Sequence, residues 1–431
     1  MSKVASKLKE FWESLGPGLV TGAADDDPSG IVTYSVAGAK FGLATLWTAL
    51  FTIPFMVIIQ RMAGRIGLIS GKGLAGNMKK HYPKWILVSI ALLIVVAGII
   101  NIGADISGMS AAFTLLVPSV SPVLFALVIA TAIVLSMIFF SYRNIAKYLK
   151  WVALVMVSYI FAAFLVHQDW LQILYRTFIP QIKFDRDHIM MLAAVFGTTI
   201  SPYLFFWEAS EIVEEERMHE KDGVHMIPST EPHGPHRSKT MIKNEISSMY
   251  QDIGVGMIFS NLITFFIIIL NAATLFKGGI TNVGSVEEIA SALRPLAGQY
   301  TNILFLIGIL AAGILAIPTL AGSAAYALSE LFGWREGLDH KFKKAKQFYL
   351  IIIIATALGV LIPILRLQPV QILVYTAVIY GAISPFLIIL LMHMANNPKI
   401  MGKYTSRMHS NIIAYILFMI MAASTILMFV L

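Results

Sequence analysis

Long apolar runs separated by short polar segments fill most of this 431-residue chain. A helix needs about 20 apolar residues to cross the roughly 30 Å hydrocarbon layer of a bilayer. The pattern therefore predicts eleven membrane-spanning helices. They lie at 16–42, 45–68, 85–116, 122–142, 148–167, 188–210, 250–276, 302–330, 347–365, 369–394 and 410–431. Because no strand-like alternation with barrel turn spacing accompanies these runs, we expect an all-α integral membrane protein.

The composition agrees with this interpretation. Hydrophobic residues make up 57% of the chain and charged residues 13%, whereas a soluble domain carries about 25% charged residues. The chain contains no cysteine, which excludes disulfides and thiolate metal sites. Residues 1–15 are basic and have no apolar core, so we predict a cytoplasmic N-terminal segment rather than a signal peptide.

The net charge of +8 is explained by topology rather than by nucleic-acid binding. If the N-terminus is cytoplasmic, seven of the 32 Lys and Arg residues lie outside and the other 25 lie inside. The seven are Lys40, Arg176, Lys183, Arg186, Lys277, Arg294 and Arg366. This asymmetry follows the positive-inside rule. We therefore expect a multi-pass protein of the cell membrane, with its N-terminus inside and its C-terminus outside.

Two predicted spans, the first and the sixth, are interrupted by a proline near their middle. The interruptions lie at residues 25–29 and 198–203, where proline removes a backbone donor and disrupts the preceding turn. Because they are five spans apart, the pattern is typical of two inverted five-helix repeats, as in LeuT-like transporters. The repeats are assigned to 16–167 and 188–394, and the helix at 410–431 falls outside them. The longest polar segment, 211–247, is predicted to be a cytoplasmic loop.

The interruption in the first span favours a cation-binding site. Asp25, Asp26 and Asp27 place three acids at bilayer depth, where each costs at least about 2.5 kcal/mol unless it is compensated. Unwound carbonyls such as that of Ala24 also need a partner, because lipid offers none. A metal ion with its water would supply that compensation. Alternatively, the acids lie at the membrane surface and cap the helix that begins near Ser29; different members of the run can fill both roles.

The sixth span would add further oxygen ligands from its own interruption. These are the Thr198 and Thr199 carbonyls and the Ser201 hydroxyl. A set made only of oxygen suits Mg²⁺, Ca²⁺ or Mn²⁺. Because Mg²⁺ dehydrates reluctantly and keeps several waters, one or two carboxylates in a wet site would suffice.

Three more acids fall within or beside predicted spans. Asp105 on the third span either lines the ion pathway or bonds a neighbouring helix. Glu208, about two turns past the sixth-span interruption, is predicted to line the pathway. Glu211 is predicted to lie at the membrane interface.

Three runs in the first span, at residues 16–18, 24–30 and 37–42, read Gly-Pro-Gly, Ala-Asp-Asp-Asp-Pro-Ser-Gly and Ala-Gly-Ala-Lys-Phe-Gly. They resemble the first span of the Nramp family of divalent-metal transporters. The family has an Asp-Pro-Gly-Asn motif there and ends the span Ala-Gly-Ala-Gln-Phe-Gly. The span count, the broken sixth span and Asp105 on the third extend the similarity over the whole chain.

The resemblance implies a metal site with several departures from the family pattern. Asp27 matches the motif's Asp, whereas Gly30 replaces its Asn. Ser201 stands at the position of the family's Met, and Ala377 aligns with a Gln that approaches the metal. The thioether that lets the family prefer Mn²⁺ and Fe²⁺ is therefore missing, and the site is enlarged.

The resemblance also bears on proton coupling. Tyr203 and Glu208 stand where the family has histidines, and Gly108 stands where the family has a Glu on its proton route. No imidazole titrating near neutrality would then line the route. This pattern is similar to that of the Nramp-related magnesium transporters, which move Mg²⁺ and Mn²⁺ without protons.

We therefore expect a secondary transporter that imports partly hydrated Mg²⁺, and also Mn²⁺, by alternating access without proton coupling and without a cofactor. The alternatives within the family are a proton-coupled Mn²⁺ or Fe²⁺ transporter and an aluminium-type transporter. An amino-acid or other organic-substrate transporter on the same scaffold is the alternative from another class, although the acidic triplet would repel a substrate carboxylate. No catalytic triad or nucleotide loop suggests an enzyme. The sequence leaves the oligomeric state open, and a monomer is compatible with it.

Overall fold

The computed structural model describes residues 21–22, 24–140, 154–221 and 239–431. Every regular element in these residues is a helix. The first half forms α1 (Pro28–Phe41), α2 (Trp47–Ser70), α3 (Leu74–His81), α4 (Lys84–Thr114), α5 (Pro122–Phe139), α6 (Ser158–Leu165) and α7 (Trp170–Phe178). The second half forms α8 (Arg186–Ile200), α9 (Tyr203–Lys221), α10 (Lys239–Asn271), α11 (Val286–Ser291), α12 (Arg294–Ala297), α13 (Thr301–Phe332), α14 (Lys346–Gly359), α15 (Leu361–Ile364), α16 (Pro369–Ala395), α17 (Pro398–Met401) and α18 (Met408–Val430).

The predicted membrane spans agree with these helices. Within the described ranges, nine helical segments are long and apolar enough to cross a bilayer. They correspond to nine of the eleven predicted spans. The first and fifth predicted spans reach into residues outside the described ranges, and α1 and α6 are their described helices. The predicted N-terminal segment 1–15 also lies outside the described residues.

Both predicted helix breaks are present. In the first span, Asp26 and Asp27 leave the helical conformation, and α1 begins at Pro28. In the sixth span, α8 ends at Ile200 and Ser201 takes a left-handed conformation with φ of 40°. Proline explains both positions, because it cannot donate to the preceding turn but fits the first turn of a new helix.

Glycines allow the interrupted spans to pack at the centre of the bundle, where α1 contacts α4, α8, α10 and α16. A Cβ added at Gly38 of α1 would lie 2.6 Å from the carbonyl oxygen of Ile268 in α10. One added at Gly197 of α8 would lie 2.1 Å from the carbonyl oxygen of Ala377 in α16. Only glycine permits such backbone approaches, which are typical of helix packing in membranes.

The predicted loop at 211–247 is wrong at both ends. Helix α9 continues to Lys221 and α10 already begins at Lys239, so both helices extend past the apolar part of their spans. Glu, Lys and Arg are good helix formers, and a helix satisfies its own backbone groups in water as well as in lipid. Glu211, predicted at the interface, is 5% exposed, because α9 packs along α2 in this region.

Candidate metal centre

Three oxygen atoms from the two helix breaks converge beside Gly30, in the first turn of α1. The position that a Cβ would occupy at Gly30 lies 3.3 Å from Asp27 Oδ1 and 3.3 Å from Thr198 Oγ1. The carbonyl oxygen of Asp25 lies 3.4 Å from the same point. A carboxylate, a hydroxyl and a carbonyl therefore surround the space that a larger residue would fill. Hard divalent cations prefer these kinds of oxygen.

One hydrogen bond joins the sixth-span break to the first span, and others form within the sixth span. The Tyr203 hydroxyl donates to the Ala24 carbonyl at 3.2 Å, and the Ser201 hydroxyl donates to the Thr198 carbonyl. The Thr199 hydroxyl turns back to a carbonyl of its own helix at 2.6 Å. Because a carbonyl oxygen has two lone pairs, those of Ala24 and Thr198 can each accept a second partner.

Asp27 fills the capping role that the sequence left open. Its Oδ1 accepts the backbone N–H of Gly30 at 2.5 Å, which makes Asp27 the N-cap of α1. Its Oδ2 accepts the side-chain amide of Asn101 from α4 at 2.8 Å. The side chain is 3% exposed, so the cap lies inside the bundle rather than at the membrane surface. Asp27 is thus fixed at both oxygens beside Gly30.

Asp25 and Asp26 are less well satisfied. Both carboxylates accept from one hydroxyl, that of Ser260 in α10, at 3.1 Å each. Asp25 Oδ1 and Asp26 Oδ2 have no hydrogen-bond partner among the described residues, although the two side chains are at most 1% exposed. Nor does any Lys or Arg in that part of the chain form an ion pair with them. Burying such charges costs several kcal/mol per group unless a cation or proton compensates them.

Asp105 joins the site through the backbone of α1. The N–H of Ser29 donates to Asp105 Oδ1 at 3.2 Å, while Asp105 Oδ2 has no partner among the described residues. The Ser29 hydroxyl donates to the Leu373 carbonyl of α16 at 2.7 Å and lies 3.0 Å from the Thr376 hydroxyl. Of the two alternatives for Asp105, bonding to a neighbouring helix is therefore present, and its free oxygen leaves a pathway role open.

Glu208 is buried where α9 meets the first span. It is 1% exposed, and its Oε2 accepts the hydroxyl of Thr21 at 2.8 Å. This bond links α9 to the first half of the interrupted first span. Glu208 therefore lies where α9 meets the first half of the first span, away from the oxygens beside Gly30.

The two remaining candidate residues contact apolar or backbone atoms instead. A Cβ at Gly108 would lie 2.9 Å from Leu373 Cδ1, so this position faces an aliphatic side chain. Ala377 packs its carbonyl against Gly197, next to Thr198. Neither position provides a titratable group.

Sequence reasoning missed three hydroxyl residues that complete the site: Thr21, Ser260 and Thr376. Each lies in an apolar run, and single Ser and Thr residues are too common in membrane helices to be informative alone. In the described part of the chain, no group of three or more His, Cys, Asp or Glu side chains is arranged to hold a metal. A cation here would therefore depend on carbonyl and hydroxyl oxygens together with one or two carboxylates.

Similarity to known proteins agrees with this architecture. A family model described as "Natural resistance-associated macrophage protein-like", Nramp, matches residues 18–431. The chain belongs to the Nramp family. Two curated Nramp relatives are named "Divalent metal cation transporter MntH". The one from Caldanaerobacter subterraneus subsp. tengcongensis is 24% identical over 92% of this chain and 88% of its own length, and the one from Burkholderia ambifaria is 24% identical over 93% and 84%. Both are named as transporters and not as enzymes.

Solved structures show the same fold. A manganese transporter from Eremococcus coleocola superposes with a TM-score of 0.74 at 16% identity, covering 97% of this chain and 87% of its own. MhsT in complex with L-phenylalanine superposes with a TM-score of 0.61 at 14% identity, covering 96% and 97%. This Nramp chain thus has the LeuT-like arrangement of two inverted five-helix repeats with broken helices.

Proposed function

We propose that this Nramp protein is a secondary transporter that imports divalent metal cations through the cell membrane. Its main substrate is Mg²⁺, with Mn²⁺ also carried. The ion crosses partly hydrated, by alternating access and without proton coupling. The N-terminus is cytoplasmic and the C-terminus is outside. The observation that carries the proposal is the convergence of Asp27, Thr198 and the Asp25 carbonyl beside Gly30.

The chemistry of these groups supports a hard dication. All the convergent atoms are oxygens, and the Met position of the family is taken by Ser201, whose hydroxyl bonds the Thr198 carbonyl. Sulfur ligands favour softer transition metals, whereas an oxygen set suits Mg²⁺. The incompletely bonded carboxylates of Asp25 and Asp26 add negative charge close by. A single divalent ion would compensate most of it.

The space beside Gly30 supports a hydrated ion. An Asn at this position would have to fit among oxygens that are already 3.3–3.4 Å from a Cβ. With Gly30, that volume is available to water. Mg²⁺ retains its waters more strongly than Ca²⁺ or Mn²⁺, so a site that keeps part of the hydration shell favours it.

Transport without protons is supported by the residues along the route. Gly108 faces Leu373 rather than offering a carboxylate. Tyr203 uses its hydroxyl to donate to the Ala24 carbonyl. The membrane potential is sufficient to drive uptake, since an inward-moving dication gains roughly 4.6 kcal/mol per 100 mV.

The direct test is metal uptake into proteoliposomes that contain a Mg²⁺ indicator in one preparation and a pH dye in a parallel one. We expect Mg²⁺ entry that increases with an inside-negative potential and leaves internal pH unchanged. The matched variants are Asp27→Asn, which should abolish entry, and Asp187→Asn, which removes a surface acid paired with Lys40 at 2.7 Å and should not. Acidification in proportion to metal entry would contradict uncoupled transport, and normal uptake by Asp27→Asn would contradict the assigned site.

Mn²⁺ is the second candidate for the main substrate, because a manganese transporter has the same fold. Competition distinguishes the two metals. If Mn²⁺ at one-tenth of the Mg²⁺ concentration suppresses most Mg²⁺ uptake, Mn²⁺ is the preferred ion and the magnesium assignment is wrong.

A further inference from the structure

Two neighbouring cavities lie on either side of α7, at the end of the bundle that the charge distribution assigns to the outside. The first has a volume of about 450 Å³ and is lined by Lys40, Arg176, Lys183 and Lys277. The second has about 570 Å³ and is lined by apolar residues of α2, α7 and α10. The side chain of Ile173 lines both. A polar cavity and an apolar one therefore adjoin along a single helix.

The first cavity concentrates positive charge. It contains four of the seven Lys and Arg residues assigned to the outside. Lys40 is paired with Asp187 at 2.7 Å, and the acid in the lining, Asp169, caps α7 by accepting the Gln172 N–H at 3.1 Å. Like charges repel a metal cation, so this cavity is unsuited to be its entrance. It suits an anion.

The second cavity is suited to a hydrocarbon chain. Its walls include Leu50 and Ile53 of α2, Trp170 and Leu174 of α7, and Leu262 and Phe265 of α10. Its two polar side chains are already bonded: Thr177 donates to the Ile173 carbonyl at 2.7 Å, and Asn261 donates to the Met257 carbonyl at 2.9 Å. An occupant would therefore meet apolar surface.

Helix α7 itself has the character of an interfacial helix. Leu171 is 81% exposed, and Leu174 and Phe178 are more than half exposed, whereas Ile173 and Thr177 on the other side are buried. A short helix with an exposed apolar face and a basic residue, here Arg176, lies in the interface between headgroups and acyl chains. Both cavities are thus at the depth where a phospholipid changes from polar to apolar.

We propose that the two cavities bind one anionic phospholipid. Its phosphate lies among Arg176, Lys183 and Lys277, and one acyl chain occupies the apolar cavity beside Trp170. An anionic headgroup is required because a zwitterionic one would bring its own ammonium group into the basic cavity. The inference is independent of the transported ion.

Brominated lipids test this directly, because bromine on an acyl chain quenches a tryptophan that it contacts. The intact protein is reconstituted with dibromo-acyl phosphatidylglycerol or dibromo-acyl phosphatidylcholine, and the Trp170 signal is taken as the difference between the wild type and Trp170→Phe. We expect half-maximal quenching at a mole fraction roughly tenfold lower for phosphatidylglycerol. In the combined variant Arg176→Gln, Lys183→Gln, Lys277→Gln, this preference should disappear.

The matched control replaces two outside cations that do not line the cavity, Arg294→Gln and Arg366→Gln, and should keep the preference. Equal quenching by both lipids in the wild type overturns the proposal, and so does equal loss of preference in both sets of variants. A further arm adds inorganic phosphate at millimolar concentration. If phosphate changes the Trp170 fluorescence while both brominated lipids quench it equally, the cavity is a site for free phosphate and the lipid assignment is wrong.

Discussion

Two groups of buried carboxylates in this Nramp protein are held in very different ways. In the second half of α9, Glu214 accepts three hydrogen bonds, from the Tyr326 hydroxyl and from the backbone N–H groups of Leu338, at 3.0 Å, and Asp339. At the helix break in the first span, Asp25, Asp26 and Asp27 lie at most 3% exposed. There Asp25 and Asp26 share one hydroxyl and each keeps an oxygen without a partner among the described residues.

The difference separates a fully hydrogen-bonded acid from acids that keep unpaired oxygens. A fully bonded buried carboxylate stabilises the protein, since hydrogen bonds to a charged group contribute about 1.5–3 kcal/mol each. An incompletely bonded one destabilises it unless a ligand completes its shell. Glu214 therefore joins α9 to α13 and to the segment after it through its hydrogen bonds. Asp25 and Asp26 each retain an oxygen that could bind a cation.

The largest expected effect is on transport when Asp27 loses its charge. Asp27→Asn keeps an oxygen for the Gly30 N–H but removes the negative charge from the convergent oxygens. Losing a residue in the immediate surroundings of a metal typically costs at least about 100-fold in affinity or activity. We expect Mg²⁺ uptake in proteoliposomes to fall by that factor, while the melting temperature of the metal-free protein stays equal or rises.

If Asp27→Asn lowers both the uptake and the melting temperature, Asp27 acts mainly as a helix cap. Its difference from Glu214 would then be contradicted. The capping bond at 2.5 Å makes this a genuine test. An intermediate variant, Asp27→Glu, retains the charge and displaces it by one methylene. This variant should recover part of the Mg²⁺ binding but not the capping hydrogen bond from the Gly30 N–H.

Glu214→Ala is expected to have the opposite signature. Removing the carboxylate leaves the Tyr326 hydroxyl and two backbone N–H groups without their acceptor, and unsatisfied buried groups cost about 1–3 kcal/mol each. We expect the free energy of unfolding in detergent to fall by roughly 3 kcal/mol. The apparent affinity for Mg²⁺ should remain unchanged at a temperature where the variant is folded. If the apparent affinity weakens tenfold while the stability is preserved, Glu214 belongs to the ion pathway.

Sequence reasoning located the breaks well because proline leaves a strong local signal. Pro28 and Pro202 follow acidic or hydroxyl residues inside apolar runs, and both breaks are found there. The family and its fold were likewise predicted from the first span. The limits of α9 and α10 were missed, since a charged helix that leaves the membrane looks like a polar loop when only hydropathy is considered.

The partners of the acids could not be predicted, because they come from distant parts of the chain. Ser260 is 234 positions from Asp26, and nothing in its own apolar run distinguishes it from a packing residue. The same holds for Glu214, which reads as one of three consecutive acids in a polar segment. Which of the three acids accepts these hydrogen bonds depends on the face of α9 that meets α13. That information exists only in the folded bundle.

Ser260→Ala tests whether Asp25 and Asp26 contribute to Mg²⁺ binding, and its expected effect is smaller. The variant removes the hydroxyl shared by Asp25 and Asp26, so their orientation is lost and their mutual repulsion increases. Partners behind a metal site typically contribute 10–100-fold, and we expect roughly a tenfold decrease in the apparent affinity for Mg²⁺. The matched control is Ser136→Ala on α5, whose hydroxyl donates to its own helix at 2.7 Å. Equal uptake by both variants would mean that Asp25 and Asp26 do not contribute to the site.

The last expected effect depends on pH and concerns Glu336, a partly buried acid in the segment after α13. Burial and the nearby Glu330 carboxylate raise the pKa of Glu336 from 4.5 to about 8, with Arg217 acting in the opposite direction. Since the folded protein then holds this proton more tightly than the unfolded chain, stability from this group falls as pH rises from about 4.5 to 8 and is constant above.

The slope from one such proton is at most about 1.4 kcal/mol per pH unit. Glu336→Gln removes it, so the variant should melt a few degrees higher than the wild type at pH 8.5 and at the same temperature near pH 4.5. Glu214→Gln, which alters a carboxylate that is already bonded, should instead lower the melting temperature. Parallel pH profiles for the wild type and Glu336→Gln would mean that Glu336 is compensated as fully as Glu214.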